Sequence, residues 1–212
     1  MINLYNADCL SVMLEMADNQ FDLAIVDPPY GAKDAIGKAN CINMTKQKAQ
    51  RTNYKVFENK QPTKQYFDEL KRVSKNQVIW GANFYTHVNL AGGRIVWNKH
   101  GTAFGEGEIA YNSQSQAIRF FDYIWNGMIQ QNMKNKEKRI HPTQKPVALY
   151  TWILHKYAKE GDTILDTHLG SGSIAIACHD MGFDLTAYEI DEEYFAAASN
   201  RLKQHQRQLK LF

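Results

Sequence analysis

From Asp162 to Ile190 the chain reads as strand, turn, helix, strand, and this unit restricts the possible folds more than any other stretch. DTILD (162–166) has the length and apolarity of a buried strand, and HLGSGS follows as a glycine-rich turn. Ile174 to Met181 reads as a helix stopped by Gly182, DLTAYEI (184–190) as a second strand, and Asp191 as the cap of a final helix. Two strands joined through a helix lie parallel, so the expected fold class is α/β: a Rossmann-like domain with a mainly parallel, twisted sheet. A further helix is predicted from Pro146 to Lys159, with proline at its start and Gly161 just past its end. Towards the N-terminus, INLY reads as a short strand, Ser11 to Met16 as a helix, and Phe21 to Val26 as a buried parallel strand. Tyr66, Phe67, Leu70 and Val73 fall on one face of a helix predicted over Thr63 to Ser74. Gln77–Trp80, Arg94–Trp97 and Arg119–Trp125 read as strands.

A chain of 212 residues, 44% hydrophobic and 12% aromatic, is too apolar for disorder and long enough for one well-buried domain. The net charge of +3 is compatible with a nucleic-acid partner without arguing for one. Cys9, Cys41 and Cys178 are odd in number and widely spaced, which excludes a disulfide framework and a zinc-ligand pattern. They fit a reducing compartment, and a cytoplasmic location is expected. The N-terminus lacks a basic-then-apolar leader and no apolar run is long enough to span a bilayer, so no membrane association is expected.

Gly170-Ser171-Gly172 follows a strand and opens a helix. Glycines there let a ligand approach the backbone, and the helix start offers unpaired N–H groups. Glu189 ends the next strand, where a carboxylate can accept two hydrogen bonds from a ribose. The same residues would also serve a ligand-free tight turn; strand, helix and acid together favour a nucleoside cofactor. The turn has no P-loop lysine and is not a full G-x-G-x-x-G, which disfavours nucleotide hydrolysis and NAD. With Asp166 at the strand end, it suits a zwitterionic cofactor whose ammonium needs an acceptor, and points to S-adenosylmethionine.

Asp27-Pro28-Pro29-Tyr30 ends the strand over Phe21 to Val26, because two prolines cannot continue a central strand. Open α/β sheets bind ligands at that edge. An exocyclic amine of adenine or cytosine is conjugated with its ring and is a poor nucleophile. It improves when acceptors hold its hydrogens and favour a tetrahedral nitrogen. The Asp27 carboxylate can hold one hydrogen, the carbonyl of Pro28, rigidified by Pro29, the other, and Tyr30 can stack on an extruded base. No cysteine stands in a Pro-Cys context, which disfavours carbon-5 methylation of cytosine.

These segments resemble the amino-methylating DNA methyltransferases of the β arrangement, in which the catalytic motif precedes the cofactor motif. The likeness covers residues 1–30 and 139–203. Asn6-Ala7-Asp8-Cys9-Leu10 is similar to the family segment whose Asp contacts the cofactor's adenine amine. His141-Pro142-Thr143-Gln144-Lys145-Pro146 is similar to the segment that holds the methionine end, Asp166 to Ser173 to the glycine motif, and Glu189 to the ribose acid. The resemblance implies transfer of a methyl group from S-adenosylmethionine to an amine of double-stranded DNA. Asp27, Pro28, Pro29 and Tyr30 would be catalytic, and Asp8, Cys9, Thr143, Lys145, Asp166, His168, Gly170, Gly172 and Glu189 would bind cofactor, without a metal. His168 departs from the family's usual aromatic. The middle of the chain, with Trp80-Gly81-Ala82-Asn83, Trp97-Asn98-Lys99, Glu106-Gly107-Glu108-Ile109-Ala110-Tyr111 and Trp125-Asn126-Gly127-Met128, resembles small phage- or prophage-type adenine methyltransferases. Asp rather than Ser at the head of the tetrapeptide favours adenine N6. Cytosine N4, an RNA or protein-amide substrate, and a non-catalytic DNA-binding module stay open, as do monomer and homodimer.

Residues 31–75 form an inserted segment within a single domain spanning 1–212. Its first part carries Lys33, Lys38, Lys46, Lys48, Arg51, Lys55, Lys60 and Lys64 against Asp34 and Glu58. Lys33, Lys46, Lys48, Arg51 and Lys55 are the candidate phosphate contacts, with a second basic run at Lys134, Lys136, Lys138 and Arg139. A solvated charged loop is the alternative. Replacing Lys46, Lys48 and Arg51 by Ala is expected to weaken DNA binding and to flatten its salt dependence by about 0.9 in log–log slope for each phosphate no longer neutralised. Equal slopes for variant and wild type, measured by fluorescence anisotropy across a salt series, would mean these charges are merely solvated.

Overall fold

The computed structural model describes residues 1–31, 59–101, 105–126 and 129–208. Its centre is an eight-stranded sheet of β1 (Ile2–Asn6), β2 (Phe21–Val26), β3 (Ser74–Trp80), β4 (Gly93–Asn98), β5 (Gly107–Asn112), β6 (Ile118–Asp122), β9 (Thr163–Asp166) and β10 (Asp184–Glu189). β7 (Trp125–Asn126) and β8 (Ile129–Gln130) form a separate two-stranded ribbon. The order is β1-β10-β9-β2-β3-β5-β4-β6, and only β5 runs against its neighbours.

Helices cover both faces. Leu23, Ile25, Val78 and Ile164 pack under α3 (Val147–Tyr157), α4 (Ser173–Met181) and α5 (Glu192–Arg207). Ala24, Val26, Ile79 and Leu165 pack under α1 (Cys9–Met13) and α2 (Lys64–Val73). Successive side chains of a strand point to opposite faces, so a strand covered on both sides reads as the continuous apolar run seen in β2. In α2 the buried residues are Tyr66, Phe67, Leu70 and Val73, the stripe expected from the spacing. Asp191 caps α5 by accepting from the Glu193 and Tyr194 backbones. Gly172 stands just before α4 with a left-handed φ of +70°, and a Cβ there would come within 3.2 Å of the Ala198 Cβ. Glycine at this point lets α4 lie close against α5.

Three local expectations are corrected. The first helix runs over Cys9–Met13 rather than Ser11 to Met16, because the Asp8 carboxylate accepts from the Leu10 and Ser11 backbones and fixes its start. The run Arg119 to Trp125 divides. β6 follows β4 up to the pair Asn98↔Asp122, whereas Trp125 leaves the sheet and donates its indole N–H to the Gln144 carbonyl at 2.8 Å. Gly107–Asn112, singled out by sequence only as a motif, is a strand.

The order of strands positions the site. After β9 the chain passes through α4 to β10 on one side, and after β2 it passes through α2 to β3 on the other. β9 and β2 are hydrogen-bonded neighbours, so a topological switch point lies between their carboxyl ends, where open α/β sheets form ligand crevices.

Candidate active site

A cavity of about 410 Å³ opens at this switch point. Asp27, Pro28, Pro29 and Tyr30 line one side, directly after β2. His168, Gly170 and Ser171, after β9, and Glu189, at the end of β10, line the other, and Thr143 and Lys145 contribute from the segment before α3. Segments far apart in sequence meet because parallel strands end at one edge of a sheet.

Four residues named from the sequence do not line the cavity. Asp8 caps α1, its carboxylate also accepting from the Ser11 hydroxyl at 2.5 Å, and it lies within electrostatic reach of His168. The Cys9 thiol is pushed up to about 12 by burial and is no nucleophile. Asp166 lies beneath the wall, 2% exposed, where it accepts from the His168 backbone N–H; burial pushes its carboxyl up to about 8. Gly172 faces α5.

Glu189 is oriented by the turn it serves. One carboxylate oxygen accepts from Gly170 N at 2.8 Å and the other from Asp191 N at 3.0 Å. The Ile190 backbone also donates to this carboxylate, and lone-pair capacity is left for a further donor. Arg201 steadies the same turn, donating to the Ser171 carbonyl and the Ser173 hydroxyl while pairing with Glu137 at 2.7 Å. The Ser173 hydroxyl in turn donates to the Lys145 carbonyl at 2.7 Å. The glycine turn and the segment before α3 are thus one hydrogen-bonded unit.

The side after β2 holds a buried charge cluster. Lys145, expected at the methionine end of a cofactor, instead turns its ammonium to Asp27 Oδ2 at 2.5 Å and Glu108 Oε2 at 2.9 Å. The Tyr30 hydroxyl reaches Asp27 Oδ1 at 2.6 Å and Glu108 Oε2 at 3.1 Å. Lys99 pairs with the other oxygen of Glu108. Burial raises the Asp27 carboxyl above the usual carboxylate range, against the pull of Lys145. Burial alone would also raise Glu108, but Lys145 and Lys99 outweigh it and hold that carboxyl low. Burial would lower Lys145, but its two carboxylates keep it an ammonium.

The tetrapeptide is held from outside as well. Tyr85 donates its hydroxyl to the Pro28 carbonyl at 2.7 Å, leaving that oxygen a second lone pair. The Tyr30 ring stacks on Phe84 at 5.1 Å and lies against Gly81, where a Cβ would collide with it. Gln61 donates to the Tyr30 and Phe84 carbonyls and ties the two segments together. Sequence reasoning missed Tyr85, Phe84 and Glu108. The first two sit in a loop without periodicity, and Glu108 reaches the site only through the strand pairing of β5. Lys33, Lys46, Lys48, Arg51 and Lys55 lie outside the described residues.

A switch-point cavity with the glycine turn and Glu189 on one side, and Asp27 backed by two prolines on the other, is the ligand crevice of an open α/β fold. The chain belongs to the DNA methylase family of N6 and N4 methyltransferases, whose model matches residues 36–200. It is 38% identical over 68 residues to the type II methyltransferase M.HpaI of Haemophilus parainfluenzae, a match spanning 32% of this chain and 22% of that relative. It is 25% identical over 222 aligned residues to YubD of Escherichia coli K12, a protein named as a methylase, covering 99% of this chain and 94% of that one. The fold is that of the M1.HpyAVI–SAM complex, with a TM-score of 0.57 at 20% identity over 95% of this chain and 100% of the other. No described helix is long and apolar enough to cross a membrane.

The cavity's two imidazoles yield a pH test. Burial lowers both His141 and His168 to about 4 from an ordinary 6.5. The unfolded chain therefore takes up these two protons first as pH falls. The stability the neutral rings contribute is full above about pH 6.5 and is lost as pH falls towards 4. Imidazole resonances followed by NMR are expected to show two histidines titrating near pH 4; midpoints near 6.5 for both would mean the rings are solvated.

Proposed function

We propose that this protein transfers a methyl group from S-adenosylmethionine to an exocyclic amine in double-stranded DNA, with adenine N6 as the first target. The observation that carries the reading is a single cavity joining the Asp27–Tyr30 tetrapeptide to the Gly170–Glu189 wall. Family membership supports DNA as the substrate, and the S-adenosylmethionine bound to the structural neighbour M1.HpyAVI supports the methyl donor. Adenine rests on the leading Asp27. Cytosine N4 is the second reading, because both amines need the same acceptors and the family spans both.

The donor set fits the cofactor. The cavity is within the usual size for small-molecule sites. Glu189 keeps lone-pair capacity for a ribose hydroxyl. Thr143 and the backbone around Gly170 and Ser171 would receive the methionine end. S-adenosylmethionine supplies an electrophilic methyl on a sulfonium sulfur.

The protein's own task is to make the amine nucleophilic. A base extruded from the duplex would present its amine to Asp27 and to the free lone pair of the Pro28 carbonyl. With both hydrogens held, the nitrogen lone pair turns towards the methyl. As the N–C bond forms and the S–C bond breaks, positive charge grows on nitrogen beside the Asp27 carboxylate. The carboxylate stabilises that charge and then accepts the proton the amine releases. The raised affinity of Asp27 for protons suits this second duty. Tyr30 and its stacked partner Phe84, the latter 37% exposed, give the flipped base an aromatic surface.

Asp27→Ala is expected to keep the fold and cofactor binding but to lower methyl transfer on the order of 10²–10³-fold, the scale for removing one preorganised electrostatic partner. Asp27→Asn retains an oxygen acceptor and should keep residual activity. The measurement is transfer of labelled methyl to unmethylated DNA, with folding checked by circular dichroism. Wild-type rates in Asp27→Ala would remove Asp27 from the chemistry.

A further inference from the structure

The ion cluster raises a difficulty for the mechanism. Asp27 is the intended acceptor for the target amine, yet each of its oxygens already serves a strong donor, Oδ2 the Lys145 ammonium at 2.5 Å and Oδ1 the Tyr30 hydroxyl at 2.6 Å, with one lone pair left on each. An ammonium this close draws on the charge of the carboxylate, and so weakens it as an acceptor for a neutral amine and as a base for the proton that amine releases.

Both occupants share a second partner. Glu108 Oε2 stands 2.9 Å from the Lys145 ammonium and 3.1 Å from the Tyr30 hydroxyl. The opposite oxygen of Glu108 is held by Lys99, whose own ammonium sits 4.6 Å over the Trp97 ring. Glu108 is therefore fixed with one oxygen facing the two donors that draw on the Asp27 charge. Lys145 is 2% exposed and cannot withdraw into water, so it can leave Asp27 only for another buried carboxylate.

We propose that Glu108 is a positioning residue for methyl transfer. It receives Lys145 and Tyr30 when the target base arrives, and so frees the Asp27 carboxylate without leaving a buried ammonium unpaired. Lys145 moves less than a side-chain rotation between two carboxylates it already touches, and the charge of the cluster stays constant. Glu108 never touches the base. This rests on the proposed DNA amine methylation, and methyl transfer by the wild-type protein tests that reading separately.

The test compares wild type, Glu108→Gln and the double variant Glu108→Gln with Lys145→Met, with thermal melts confirming folding. In Glu108→Gln, Asp27 is the one carboxylate left to the ammonium among the described residues, beside the Tyr30 hydroxyl at 3.0 Å. The kcat for methyl transfer should fall on the order of 10²-fold, the scale for a misplaced reacting group, while cofactor affinity measured by calorimetry is unchanged. Loss of the Glu108 charge also lowers the proton affinity of Asp27, so the acid limb of the kcat–pH profile should move to lower pH even as its plateau drops. Removing Lys145 as well frees Asp27, and the plateau, read at high pH, should recover above that of Glu108→Gln. An unshifted acid limb in Glu108→Gln, or a double variant no more active than the single one at any pH, would overturn the proposal.

Discussion

A buried ammonium is the constraint on which the site depends. Taking a lysine out of water costs on the order of several kcal/mol after relaxation, and only close counter-charges make that position tolerable. Lys145 has two, Asp27 and Glu108. Residues 27, 108 and 145 belong to three separate segments, and one ion cluster ties them. The cluster links the end of β2 to the start of β5 and to the approach of α3, and through the Ser173–Lys145 hydrogen bond it reaches the glycine turn. The Asp27 carboxylate is thus held in place by the same contacts.

Topology makes that cluster possible. All the parallel strands end at one edge, so Asp27 and Glu189 arrive there without any special device. Glu108 arrives by the opposite route. β5 runs antiparallel to β3 with Trp80 opposite Ala110, so the beginning of β5, not its end, lies at the active edge. The pairing of Trp97 with Glu108 brings Lys99, just past β4, to the same place. The reversed strand β5 therefore delivers the second carboxylate, and its neighbour β4 the lysine that orients it.

What could be read from sequence followed from how local its cause was. β2, α2 and the β9–α4–β10 unit were legible because burial on both faces or on one helical stripe writes a pattern into contiguous residues. Asp191 was legible as a cap for the same reason. The placement of Asp27 and Glu189 at one edge was legible because both follow from where parallel strands end. Lys145 was expected beside a cofactor and lines the cavity, but nothing near it in sequence reveals that Asp27 lies 2.5 Å away. Glu108 and Tyr85 act across sheet pairs and loop contacts, and no local pattern marks them. Asp8 and Gly172 do local work that the sequence analysis did not assign them, a helix cap and a close helix approach.

The central claim is methylation of an exocyclic amine of DNA through Asp27. It is tested most directly by sequencing DNA with base-modification detection from cells expressing the wild-type protein, the Asp27→Ala variant or neither. The expected result is N6-methyladenine at a defined sequence in the wild-type sample alone. Modified cytosine N4 in its place would transfer the account to the second reading. DNA with no added methyl on any exocyclic amine, or equal modification with Asp27→Ala, would contradict it.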